Sequence, residues 1–189
     1  HFKQVFGLGG EFIADGSQFD RLLDDGEALV VGSLRVRAMA TPGHTRDGLT
    51  YVAGDAAFIG DTLFAADIGT ARCDFPGGDA RQLYASIRRI LALPEATRLF
   101  LCHDYPPPAR TPWRETTIAC EAQENVQVGG GISEDDFIAK RRARDATLPV
   151  PRLLLPALQV NIRGGRLPPA DADGRRYLRL PLDCIGARP

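Results

Sequence analysis

The chain has 189 residues, 44% of them hydrophobic, and its 23 basic and 24 acidic side chains leave a net charge of −1. Balanced charge removes the electrostatic footprint of a nucleic-acid or membrane-surface binder, and the composition excludes a disordered chain or a coiled coil. No apolar run approaches the ~20 residues of a membrane-spanning helix.

At this length a single domain over residues 1–189 is expected. Phe2–Phe6 reads as a helical opening, and the Asp24-Asp25-Gly26 turn closes the segment Ser17–Leu23. Ala28–Val31 and Leu34–Ala40 read as a hairpin, because Leu34, Val36 and Ala38 alternate with Arg35 and Arg37 beyond a Gly32-Ser33 turn. A second strand pair, Leu49–Ala53 and Ala56–Gly60, turns at Gly54-Asp55 and runs into Asp61-Thr62-Leu63. After a long loop, Asp79 is the expected N-cap of a helix Ala80–Leu93, whose Leu83, Ile87, Ile90 and Leu91 share one face. Arg98–Cys102 reads as a short buried strand that delivers His103-Asp104-Tyr105, and Pro106-Pro107-Pro108 ends it. Helices over Arg114–Glu124 and Ser133–Thr147 then precede a Pro-rich tail, Leu153–Leu182. Strand-like and helix-like stretches alternate as in an α/β or α+β fold.

Cys73, Cys102, Cys120 and Cys184 form no CxxC pair, so they read as free thiols of a reducing compartment, with cytoplasmic localisation as the default. His44, Asp61 and His103 each follow a strand, where side chains project into the loops over a sheet. Imidazole with carboxylate suits zinc, iron or manganese. The alternatives stay open at this level, Asp61 as a turn residue and His103 as a hydrogen-bonded surface histidine. No GxSxG elbow, HExxH helix or GxxxxGK[ST] phosphate loop is present.

Taken together, the strings Thr41-Pro42-Gly43-His44-Thr45, Gly60-Asp61-Thr62-Leu63-Phe64 and Cys102-His103-Asp104-Tyr105 resemble the later metal motifs of the metallo-β-lactamase superfamily. More narrowly, Gly69-Thr70-Ala71-Arg72-Cys73-Asp74-Phe75-Pro76-Gly77-Gly78-Asp79-Ala80 and the Asn161-Ile162-Arg163 stretch resemble the persulfide dioxygenases. The likeness runs from about Phe2 to Leu182 and implies an αββα sandwich with metal at the sheet edges. It further implies a non-haem enzyme with one Fe(II), oxidising glutathione persulfide with O2 to sulfite and thiol in sulfide detoxification. On that likeness His44 and Asp61 are iron ligands, Arg72 lies near the glutathione moiety, Asp74 holds the Arg72 loop, and the Tyr105 hydroxyl points into the iron site. A two-histidine, one-carboxylate face leaves open positions at which a soft sulfur and O2 can meet. His103 matches a second-metal ligand of the glyoxalase II relatives and lies outside the iron's immediate ligands in the dioxygenases.

Two departures accompany the match. The HxHxDH signature of the superfamily would lie before residue 1, so the expectation is a C-terminal portion of the fold that binds metal poorly by itself and self-associates into a homo-oligomer through uncovered sheet surface. Ala122 stands where the dioxygenases carry an arginine for the anionic end of the substrate. Two further readings therefore stand beside the dioxygenase: a glyoxalase-II-like binuclear zinc thiolester hydrolase with Asp61 bridging the metals, and an inactive fragment. The expected partners are a small-molecule persulfide and O2, with no nucleic acid and no membrane.

Overall fold

The computed structural model describes residues 1–182, and its elements follow in the order α1 (Phe2–Val5), β1 (Ala28–Val31), β2 (Leu34–Ala40), β3 (Leu49–Ala53), β4 (Ala56–Phe58), α2 (Ala80–Leu91), β5 (Arg98–Phe100), β6 (Glu115–Thr117), α3 (Ile118–Glu124), α4 (Glu134–Asp145) and α5 (Leu154–Asn161). Cys184 lies outside the described residues. Residues 23–148 form one compact unit, and residues 1–22 with 149–182 form another. No helix among the described residues is long and apolar enough to cross a membrane.

The larger unit is built on a six-stranded sheet in the order β1-β2-β3-β4-β5-β6. Both expected hairpins form, and the glycines at their turns, Gly32 and Gly54, each take φ near +60°, which tight two-residue connections require. The one parallel pair is β4 with β5, in the register Phe58↔Phe100. Parallel neighbours need a crossover, and α2 supplies it.

Helix α2 forms for the reasons legible in its sequence. The Asp79 side chain accepts from the Gln82 N–H at 2.7 Å, while Leu83, Ile87 and Ile90 are wholly buried on one face. They pack with Met39, Ala57 and Leu99 of the sheet and with Ile118, Phe137 and Ile138 from α3 and α4, so the helices cover one face of the sheet around a single core. On the other face the Phe58 and Phe100 rings stack at 5.0 Å.

Three expectations need correcting. The stretch Arg114–Glu124 is not one helix: Thr116 and Thr117, both β-branched, belong to β6 and pair antiparallel with β5. Thr117 then ends the strand and caps α3, its hydroxyl accepting from the Cys120 N–H at 3.2 Å. The strands Ala56–Gly60 and Arg98–Cys102 stop at Phe58 and Phe100, which leaves the following residues free of the ladder to form the site. The Pro-rich tail contains α5, with Pro156 in its first turn, where the missing N–H has no intrahelical partner to lose.

In the smaller unit Phe6, Leu8 and Phe12 are buried with Phe2, Val5, Leu155, Leu158 and Ile162. Gln159 ties this unit together, since its amide accepts from the Arg179 N–H at 2.7 Å and donates to the Arg179 carbonyl at 2.8 Å.

Gly43 shows why one glycine cannot be exchanged. Its φ is +142°, and a Cβ there would lie 2.3 Å from the Leu83 Cα of α2. The Asp79 N–H also donates to the Gly43 carbonyl at 2.8 Å, so loop and helix start are pressed together beside His44. Gly43→Ala is expected to cost about 3 kcal/mol or more through backbone strain and overpacking, read as a shift of the urea midpoint. A midpoint within error of the unmodified protein would refute this packing.

Candidate metal centre

The topology explains why residues far apart in sequence meet. Strands β2 and β4 both run antiparallel to β3, and β5 runs parallel to β4, so the C-terminal ends of β2, β4 and β5 share one edge of the sheet. His44, Asp61 and His103 follow those three ends. Asp61 and His103 stand at equal distances beyond the paired Phe58 and Phe100, which brings them side by side.

Asp61 is the centre of the cluster. His44 Nε2 lies 3.9 Å from its Oδ2, and on the other oxygen, Oδ1, His103 Nε2 lies at 3.4 Å. Cys102, quoted above only as part of a motif, also reaches Oδ1, its thiol donating at 2.9 Å. Loss of hydration, then the neighbouring Asp61 carboxylate, pushes the Cys102 thiol up to about 12.

His44 is held in a defined state. Its Nδ1 is 2.6 Å from the Arg72 carbonyl oxygen, which can only accept, so Nδ1 carries the proton. In the neutral ring Nε2 is then a bare acceptor facing the acceptor oxygens of Asp61, an arrangement that a cation between them would stabilise. The ring also packs edge-on to Phe75 at 5.5 Å, and the Arg72 guanidinium covers that same phenyl ring at 4.7 Å. The Arg72 fork binds Asp74 bidentately, both contacts at 2.7 Å, which holds the Asp74 carboxyl below the usual carboxylate range.

That loop is fastened from beneath by α4. Arg141 and Asp145 are each 4% exposed and pair at 2.6 Å. Arg141 donates to the Thr70 carbonyl at 3.1 Å, and Asp145 accepts from the Cys73 N–H at 2.9 Å, so the ion pair grips the chain on both sides of Arg72. Burial, with the Asp145 charge beside it, pushes the Cys73 thiol up to about 12, making it an unreactive packing group.

A second clamp holds the other wall. Arg110 forks onto Asp104 at 2.7 and 2.8 Å and onto Asp67 at 2.8 and 2.9 Å, while Asp104 also accepts from the Trp113 N–H at 2.6 Å. This fixes the segment that carries His103. Tyr105, 60% exposed, sets its ring edge-on to Phe64 at 5.5 Å and 6.1 Å from the His103 ring. His44, Asp61 and His103 therefore converge, Tyr105 flanks them, and Arg72 meets them through its main-chain oxygen. The clamp residues Arg110, Arg141 and Asp145, and the thiol of Cys102, escaped the sequence reading. The i,i+4 spacing of Arg141 and Asp145 on α4 is a local salt-bridge pattern, but nothing local marks its burial or the reach of Arg110 to Asp67.

The donor set, two imidazoles on the two oxygens of one carboxylate with a thiol beside it, fits zinc or iron rather than magnesium or calcium, which prefer oxygen donors. Mixed α/β layering with such a cluster at the strand ends defines a metal-dependent enzyme class. Residues 1–103 match the metallo-beta-lactamase superfamily, and the chain belongs to that superfamily. It is 56% identical over 194 residues to a probable metallo-hydrolase of Burkholderia pseudomallei (strain 1710b), covering 97% of this chain and 66% of that protein. It is 48% identical over 185 residues to Glyoxylase B2 of Dictyostelium discoideum, covering 97% of this chain and 63% of the relative. Among solved structures, ETHE1 from Myxococcus xanthus is similar at 36% identity and a TM-score of 0.70, over 79% of this chain and 63% of that one. The chain thus spans just under two thirds of the length of these relatives.

Proposed function

We propose that the protein is the larger part of a mononuclear non-haem iron persulfide dioxygenase acting on glutathione persulfide or a similar low-molecular-weight persulfide. The observation that carries this reading is the loop of residues 70–75, whose Arg72-Cys73-Asp74-Phe75 run matches the dioxygenase pattern and whose Arg72 carbonyl orients His44. The likeness to ETHE1 from Myxococcus xanthus supports it.

The reaction balances as persulfide, O2 and water giving thiol and sulfite with two protons, the terminal sulfur losing the four electrons that O2 gains. His44 and Asp61 would hold the iron, with a further ligand from the HxHxDH segment of the longer protein. Iron would supply the redox chemistry joining O2 to the sulfur. Around it, the chain's own groups position and shield. Phe64 and Phe75 would exclude water beside the ligands, and Tyr105 would offer its hydroxyl at the mouth. The Arg72–Asp74 pair would form the wall facing the glutathione moiety.

A second reading has an observation of its own. Because Asp61 presents one oxygen to His44 and the other to His103, these three residues would suit a pair of zinc ions with Asp61 between them, as in a glyoxalase-II-like hydrolase, where zinc would supply the hydrolytic chemistry toward a thiolester. The likeness to Glyoxylase B2 supports that alternative. Metal analysis and turnover of the full-length protein separate the two. The dioxygenase reading expects about one iron per chain, O2 uptake with added glutathione persulfide, and sulfite as product. Two zinc ions, thiolester hydrolysis and no O2 uptake would overturn it.

A further inference from the structure

We propose that a cavity in the smaller unit binds the zwitterion of a free α-amino acid with an apolar side chain, its carboxylate on the Arg163 guanidinium and its ammonium on the Glu11 carboxylate. The cavity measures about 420 Å3, within the ~300–1,000 Å3 of small-molecule sites. Its lining, which includes Leu8, Glu11, Arg163, Pro168, Asp171 and Arg179, belongs entirely to the smaller unit and shares no residue with the metal centre.

The decisive group is Arg163. It is only 7% exposed, yet among the described residues no carboxylate pairs with it. Its Nη1 donates to the Gln159 carbonyl at 2.7 Å, capping the end of α5, and its guanidinium lies over the Phe12 ring at 5.2 Å. The cap engages one of the five N–H donors of an arginine, and the carbonyls of a helix end supply at most about half a charge. A buried cation is costly without a counter-charge, and the cavity is where an anion can reach this one. Its planar fork matches a carboxylate, which it can hold through two parallel bonds. A phosphate or polyanion fits less well, because Glu11 and Asp171 stand against Arg163 and Arg179 in the lining. That balance suits a ligand with one charge of each sign, and Leu8, Pro168, Pro169 and Ala170 offer surface to an apolar side chain. The walls are already built. Glu11 Oε1 accepts from the Gly9 N–H at 3.0 Å, Arg179 Nη1 donates to the Gly7 carbonyl at 3.0 Å, and Arg176 Nη1 donates to the Pro168 carbonyl at 2.6 Å. A β-bridge between Ala170 and Arg176 closes the same loop, so little ordering remains for binding to impose.

The inference is independent of the reaction at the metal centre, and its test reads no turnover. Calorimetric titration of the metal-free protein with L-leucine is expected to show saturable binding at one site. L-Leucinamide, which lacks the carboxylate, 4-methylpentanoate, which lacks the ammonium, and inorganic phosphate should each bind at least about ten-fold more weakly. Arg163→Met keeps the length of the stem but removes the fork, and should weaken L-leucine on the order of 10- to 100-fold. A companion measurement on the unmodified protein avoids any question of folding in that variant. Amide shifts in 1H–15N spectra under L-leucine are expected to move at residues 7–11 and 159–179 and to stay still at His44, Asp61 and His103. No binding of L-leucine, equal binding of the amide, the 4-methylpentanoate or phosphate, affinity unchanged in a folded Arg163→Met, or shifts centred on His44 and Asp61 would each overturn the proposal. Iron content and O2 uptake vary independently of these readouts, so failure here and failure of the dioxygenase reading are distinguishable.

Discussion

Asp61→Asn is expected to strip the protein of bound metal while leaving the fold intact. The substitution keeps the side-chain shape but removes the carboxylate that both His44 Nε2 and His103 Nε2 face. A neutral amide offers a divalent ion one weak oxygen and no charge. Affinity should fall by at least a factor on the order of 100, since changes in outer partners alone cost 10–100-fold. Stability should change by less than about 1 kcal/mol, because Asp61 is partly solvated and meets a neutral thiol at 2.9 Å and two imidazole nitrogens at 3.4 and 3.9 Å. Metal content after dialysis, with a thermal melt of the metal-free form, checks both halves. Stoichiometric metal retained by the variant would remove Asp61 from the centre.

The largest effect on stability is expected at a residue that touches no ligand. Asp145→Ala should cost about 3–5 kcal/mol, because it leaves the Arg141 guanidinium buried without its counter-charge and the Cys73 N–H without an acceptor. Replacing both partners by apolar residues, Arg141→Met with Asp145→Leu, should return much of that loss, since a well-packed apolar pair often equals a buried ion pair. Metal affinity should not return with it. The grip on Thr70 and Cys73 is what holds the Arg72 carbonyl against His44 Nδ1, and the double variant lacks that grip. Chemical denaturation and metal titration on the two variants read the two roles separately. A double variant that regains stability and binds metal normally would show that α4 supports the core alone.

Helix α2 illustrates what local chemistry settles: a capping Asp79, apolar residues at helical spacing and no internal Gly or Pro leave few alternatives. The same holds for the hairpin of β1 and β2, and for α4, whose Ser133 hydroxyl accepts from the Asp136 N–H at 3.2 Å. The segment Glu115–Thr117 is different. Three residues show no period, and what makes them a strand is the free edge of β5, which is remote in sequence.

The site divides in the same way. His44, Asp61 and His103 were recognisable as donors from residue type, position after strands and motif resemblance, because the need for imidazole and carboxylate is a property of the side chains themselves. Which oxygen of Asp61 each would face, and that Cys102 would join them, depended on the parallel register of β4 with β5. The clamps were invisible for a related reason. An arginine such as Arg110 or Arg141 has the same local pattern whether it is solvated or buried against Asp104 or Asp145, and only the closed chain decides which. The sequence by itself therefore determined the elements and the chemical class of the donors, through propensities and functional groups that act over a few residues. The tertiary structure decided their mutual distances, the proton on His44 Nδ1 and the buried charges that hold them, because these arise from contacts between strands and loops that no local pattern encodes.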